Sequence, residues 1–284
     1  MSVRLVSPLP MTYLLALSSV VSRLVGVYRN FLLASTFGAG ILTDSYFAAF
    51  QIPDALYRLF VYGAISASFV PLFLRERKHS HEKAWDFLSS VMNSFLIVVF
   101  FLSIGIWWFA DTLVELLYPN FSGPMLVQTT QLLRIMMISP LLFTFSSLLS
   151  GIQNAFRSFW GFALAPIVYN LGIILGIAFF SRWYGIAGVA YGVVIGAFLH
   201  ALVQLAPCLR LGFTWKPILA FTDSFRELFV TAFPRIFTMA GAQIMFFVEG
   251  LIATSLSLGD ITILRFAQDL QAFPLGVIGI SMAI

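Results

Sequence analysis

SRLVGVYRNFLLASTFGAGILTDSYFAAFQIPDALYRLF, residues 22–60, decides the fold. Two apolar runs flank the glycines Gly38 and Gly40, so the stretch reads as the end of one membrane helix, a turn and the start of the next. Charges interrupt those runs, among them Arg23, Arg29, Asp44 and Arg58. On the first helix Ser19, Ser22, Arg23, Gly26, Arg29 and Asn30 recur at helical spacing and share one face, opposite Val, Leu and Phe. On the second, steps of seven residues put Asp44, Gln51 and Arg58 on one stripe. Pro53 removes a backbone hydrogen bond there. With Gly63 ten residues further on, it predicts a kinked helix that lines a cavity.

Composition carries this pattern to the rest of the chain. Of 284 residues, 60% are hydrophobic and 10% charged, where a soluble domain carries about 25% charged residues. The expected class is an all-α integral membrane protein, because an open sheet leaves backbone groups unsatisfied in lipid. A bilayer core needs about 20 apolar residues per helix. On that scale eight segments emerge, roughly 9–34, 41–73, 84–110, 126–154, 159–181, 186–209, 227–256 and 261–284. The first lacks a cleavage site and carries two arginines, so it reads as a retained helix.

Short-loop cations set the orientation. With the N-terminus cytoplasmic, the inner loops hold Arg4, Arg75, Arg77, Lys78, Lys83, Arg157, Arg210, Lys216 and Arg226, and the outer loops only Arg182. Six of the sixteen Lys and Arg residues remain, all inside segments: Arg23, Arg29, Arg58, Arg134, Arg235 and Arg265. A central arginine costs roughly 2.5–3.5 kcal/mol on insertion scales. Arg134 and Arg235 lie near helix ends and can snorkel. Arg23 and Arg58 lie too deep for that and call for a cavity or a partner.

The last segments add to the inventory. Arg265, Gln268 and Asp269 share a face of the eighth, and Glu249 stands among apolar neighbours in the seventh. A bland alternative pairs Arg265 with Asp269 at i,i+4, and Asp44 with Arg29. Three polar stripes on different helices point instead to a polar cavity in an apolar shell. Arginine suits a phosphate-bearing anion there, since guanidinium binds phosphate through a planar fork.

Enzymatic signals are missing. One cysteine, Cys208, excludes an internal disulfide and a cysteine-cluster metal site. His79, His81 and His200 show no ligand spacing, and His79 and His81 fall in a charged loop that faces water. No P-loop, dinucleotide fingerprint or G-x-S-x-G elbow occurs. No catalytic residue, metal, cofactor or nucleic-acid partner is expected.

An internal echo links the two ends. Gly38 precedes Pro53 by fifteen residues, and Gly259 precedes Pro274 by the same interval. Six helices separate the copies, which therefore run in the same direction, as in a parallel repeat. The expected organisation is a first lobe of six helices over residues 1–215 and the first two helices of a second lobe over 216–284. A two-helix second lobe ending near Ile284 suggests the N-terminal part of a longer transporter.

The stretch 22–60 resembles the start of the MurJ (MviN-type) lipid II flippases. So do QLLRIMMISPLLFTFSSLLSGIQNAF (131–156), FALAPIVYN (162–170) and LQAFPLGVIGI (270–280), in the same order. The resemblance covers nearly the whole chain and a little over half of a usual member. It implies the MOP-exporter fold shared with MATE-type transporters: two helical lobes around a central cavity, monomeric, in the bacterial inner membrane. It implies translocation of the lipid-linked peptidoglycan precursor to the outer leaflet by alternating access. Carried onto matching positions, it makes Arg23, Arg29, Arg58 and Arg265 candidate ligands of the pyrophosphate. Asp44 and Asp269 become candidate charge switches, with Asp44 pairing a cavity arginine in one state. Glu249 becomes a candidate site for a coupling cation, Na+ or H+. The chain departs from the family at Asn30, Tyr57 and Asp269, where members usually have Asp, Arg and Arg. A flippase for another polyprenyl-linked glycan and a cation-coupled drug exporter remain open, the second predicting acids rather than arginines in the cavity. A membrane-embedded glycosyl- or phosphotransferase would want a metal-binding acidic pair, and no D-x-D spacing occurs.

Overall fold

A computed structural model describes residues 8–59, 68–121 and 123–282, with side-chain environments for residues 13–59, 68–121 and 123–272. Arg4, Gly63 and Ile284 lie outside them, as does the side chain of Pro274. All regular structure in this range is helical. In chain order the helices are α1 (Pro8–Phe37), α2 (Ile41–Tyr57), α3 (Phe69–His79), α4 (His81–Trp108), α5 (Ala110–Leu117), α6 (Pro124–Met136), α7 (Ser139–Ala155), α8 (Trp160–Leu175), α9 (Ser181–Tyr184), α10 (Ile186–Arg210), α11 (Asp223–Thr254) and α12 (Asp260–Met282).

Local chemistry places the boundaries. α1 ends where Gly38 takes a φ of 69°, and its N–H returns to Ala34 O at 2.9 Å. α2 starts with Thr43 Oγ1 accepting from Gly40 N–H at 3.1 Å. Ser80 and Thr222 cap α4 and α11, each side chain accepting from a backbone N–H of the first turn. The second glycine of the echo, Gly259, also takes a positive φ, 98°, just before α12. The two glycine turns meet, since a side chain built on Gly259 lies 3.1 Å from the backbone of Ala39.

Among the described residues five helices are long and apolar enough to cross a membrane: 81–108, 124–155, 160–184, 186–210 and 223–254. α6 and α7 run together as one of them, and α8 continues through a π-helical turn at Gly176–Phe180 into α9. The three other long elements, α1, α2 and α12, carry Arg23, Arg29, Asp44, Arg265 and Asp269, with Arg58 at the C-cap of α2.

Packing follows the rules of helices in lipid, where close approach replaces hydrophobic burial. α8 and α10 cross through glycines. A Cβ on Gly192 meets Gly176 Cα at 2.7 Å, and one on Gly196 meets the Tyr169 carbonyl. A second core stacks Phe69 on Phe73 and Phe87, with Trp85 on Phe156, between α3, α4 and the end of α7. The link between α10 and α11 is extended and lies along α4. Asn93 donates to the carbonyls of Lys216 and Ile218, Ser89 and Ser90 accept from Lys216 and Ala220 N–H, and Trp215 Nε1 donates to Asn93. His81 is exposed, as expected, but belongs to a helix rather than a loop. It opens α4, and its Nδ1 accepts from Trp85 Nε1 at 3.0 Å.

Candidate functional site

Seven helices enclose a cavity of about 410 Å³. α1 contributes Arg29 and Asn30, α2 the run from Tyr46 to Arg58, α7 Ser139 and Phe143, and α8 Pro166 and Tyr169. His200 of α10, Gln243 and Phe246 of α11, and Arg265 and Asp269 of α12 close it. Arg29 and Asn30, Gln51 and Arg58, and Arg265 and Asp269, parts of the three polar stripes, thus converge on one space.

Arg29 is its most elaborately held cation. Nη1 donates to Asn170 Oδ1 at 2.9 Å, and Nε and Nη2 donate to Asn30 Oδ1 at 3.0 and 2.8 Å. Nη2 also faces Asp269 Oδ2 at 3.5 Å, and Asn30 Nδ2 donates to that same oxygen at 2.7 Å. Asn170 is itself oriented by its Nδ2 bond to Pro166 O. The guanidinium is therefore fixed in plane by α1 and α8 and tied to α12.

Arg58 is held within its own helix, its Nε donating to Asp54 Oδ2 at 2.7 Å. Arg265 donates to Gln268 Oε1 at 3.1 Å and lies 5.7 Å from the ring centre of Phe246. Three arginines against two aspartates, Asp54 and Asp269, leave the cavity lining one net positive charge. Elsewhere in the lining His200 Nδ1 and Ser146 Oγ share a 2.6 Å hydrogen bond, and Tyr57 bonds Ser147 at 3.1 Å.

Several sequence expectations need correction. Arg23 does not line the cavity. It donates to Ala272 O at 2.7 Å, bridging α1 to the backbone of α12. In this conformation Asp44 pairs with no arginine among the described residues. It is 2% exposed and accepts from Gly259 N–H at 2.6 Å and from Thr262 N–H and Oγ1 at 2.9 and 2.6 Å, capping α12. Its place on the α2 stripe brings it to a neighbouring helix end, where orphan N–H groups compete for it. Arg265 and Asp269 do not neutralise each other, because Asp269 turns to α1. Glu249 is not isolated, since Gln268 Nε2 donates to its Oε2 at 2.8 Å. Arg134 does find a partner near its helix end, bonding Asp111 at 2.7 Å.

Asp54, Asn170 and His200 were missed as site residues. Asp54 had a signal, four residues before Arg58. Asn170 stands on an otherwise apolar helix, and His200 shares its helix with Gln204, which turns to Gln153 instead, so neither had a signal. Among the described residues no three His, Cys, Asp or Glu side chains cluster as a metal site.

A family model described as "Lipid II flippase MurJ" matches residues 33–284. A probable lipid II flippase MurJ of Buchnera aphidicola is 31% identical over 274 residues, covering 94% of this chain and 54% of the relative. The probable lipid II flippase MurJ of Borreliella burgdorferi is 29% identical over 273 residues, covering 96% and 54%. A solved lipid II flippase MurJ in an inward closed conformation superposes with a TM-score of 0.79 at 28% identity, over 93% of this chain and 55% of that one. A MATE transporter solved with MaL6 superposes at 0.63 with 15% identity, a likeness of fold alone, over 93% and 63%. The chain spans about half the length of the curated relatives it matches.

Proposed function

The chain belongs to the MurJ family of lipid II flippases, and from that membership we propose that it takes part in moving a lipid-linked pyrophosphate precursor of peptidoglycan across the bacterial inner membrane. The family is one of transporters, and the all-helical, multi-pass architecture fits it. The observation that carries the proposal is the convergence of Arg29, Arg58 and Arg265 from three helices on one cavity. A pyrophosphate needs several donors at once, and each guanidinium offers five. The polyprenyl tail would stay in lipid while the head group enters the cavity. Arg23, outside it, is assigned to holding α1 against α12.

Residues 1–215 are read as the first lobe and 216–284 as the start of the second, acting as a monomer with a cytoplasmic N-terminus. Alternating access then requires contacts that differ between states. Asp44 with α12, and Asp269 with Asn30 and Arg29, are the two contacts we assign to that switch. Glu249, held by Gln268, is the acid assigned to a coupling cation, Na+ or H+. Arginines outnumber acids in the cavity, which weighs against a cation-coupled drug exporter. Another polyprenyl-linked glycan would meet the same arginines and differ in its head-group contacts.

Complementation of a flippase-depleted bacterium tests the proposal, using this chain alone and joined to the second half of a full-length relative. Growth is expected from the joined protein and lost on Arg29→Ala with Arg58→Ala. Growth that persists in the double variant would overturn the arginine clamp.

A further inference from the structure

Two cavity arginines are already engaged by carboxylates of the chain itself. Arg58 Nε donates to Asp54 at 2.7 Å, and Asp269 takes hydrogen bonds from Asn30 at 2.7 Å and Arg29 at 3.5 Å. Neither carboxylate is sealed away, with side-chain exposures of 32% for Asp54 and 51% for Asp269. Half-exposed ion pairs are weak, so an arriving anion displaces them readily. A bare cluster of three arginines would instead hold a doubly charged ligand tightly, and a carrier must also let its ligand go.

We infer that Asp54 and Asp269 are internal counter-anions that occupy Arg58 and Arg29 in the empty cavity, yield them to the ligand's phosphates, and reclaim them as the ligand leaves. This rests on the assignment of the arginines to a phosphate-bearing ligand and adds its regulation. Arginine in an apolar wall is costly without a partner, and the two carboxylates supply one while the cavity is empty. Asp269 adds a mechanical consequence, because it is bonded from α12 to two side chains of α1. Its displacement removes that bridge, so filling the cavity and loosening α12 from α1 become one event.

The test is binding of inorganic pyrophosphate to the 284-residue chain in neutral-lipid nanodiscs, at low salt, for the wild type and for Asp54→Asn and Asp269→Asn. Both changes keep shape and remove charge, and Asp54→Ser and Asp269→Ser stand in should an Asn variant misfold. Each Asn variant is expected to tighten pyrophosphate binding about fivefold, the scale of one partly exposed ion pair. Release, followed by dilution, is expected to slow in step. Unchanged or weaker binding, with affinity still lost in Arg29→Ala and Arg58→Ala, overturns the counter-anion role and leaves the arginine assignment standing. Absence of arginine-dependent binding in the wild type and in every aspartate variant overturns both.

Discussion

Thr262 donates twice to one oxygen of Asp44, through its N–H at 2.9 Å and its hydroxyl at 2.6 Å. Gly259 N–H fills the other oxygen at 2.6 Å. Both Asp44 and Thr262 are buried. The first turn of any helix leaves N–H groups without partners and carries partial positive charge. Asp44 of α2 answers both for α12, so the two glycine turns, around Gly38 and before α12, are closed by a buried charge.

Removing that charge should open the closure. Asp44→Ala strands two N–H donors at a cost of about 1–3 kcal/mol, whereas Asp44→Asn keeps an acceptor. Ile261, 4% exposed, reports the change as Ile261→Cys in a Cys208→Ala background. Maleimide labelling is expected to rise from wild type to Asn to Ala. Equal labelling in all three would show that the cap does not hold the turns together.

The α8–α10 crossing should tolerate no added methyl. Gly192→Ala puts a Cβ 2.7 Å from Gly176 Cα, whereas Gly105 has nothing within 4 Å. Overpacking of this kind costs about 1–3 kcal/mol. Thermal unfolding in detergent is expected to drop for Gly192→Ala and to stay put for Gly105→Ala.

Arg29→Lys should fail despite keeping the charge. The planar fork serves Asn170 and Asn30 at once, which a single ammonium does not reproduce. Pyrophosphate affinity is expected to fall about tenfold, the scale of one lost charge-assisted hydrogen bond. Matching affinity in Arg29→Lys would mean that charge alone suffices.

The extended link along α4 should be insensitive to pH near neutrality. Hydrogen bonds from Lys216 to Asp86 and Glu82 raise its pKa above the ordinary lysine value. A raised lysine contributes fully below the unfolded pKa of about 10.4 and loses that contribution as pH climbs through the folded one. Trp215, which donates to Asn93, reports docking by its fluorescence, taken as the difference from Trp215→Phe. The signal is expected to hold from about pH 6 to about pH 9 and to change only above the ordinary lysine range. Asn93→Ala, which removes the bonds to the Lys216 and Ile218 carbonyls, should change it at every pH.

Much of the architecture was legible because lipid imposes it locally. A helix that satisfies its own backbone and crosses apolar solvent must be long and apolar, so composition and run length place α4, α10 and the continuous span from α8 through α9 within a few residues. Helical periodicity likewise turned Arg29, Arg58 and Arg265 toward a polar interior before any contact was known. Periodicity assigns a face, however, not a neighbour.

Partner choice was settled by packing. Asp44 had Arg29 as a plausible mate and instead meets Thr262, 218 residues away, because the two glycine turns abut. Asp269 had Arg265 one turn off and instead reaches Asn30, 239 residues away. Asn170 becomes a ligand of Arg29 only because α8 lies beside α1. From the sequence alone came a membrane-spanning helical protein with arginines turned inward, since those features depend on each helix and its solvent. Which carboxylate holds which arginine depends on how helices cross, a sum of many weak contacts that no local pattern encodes.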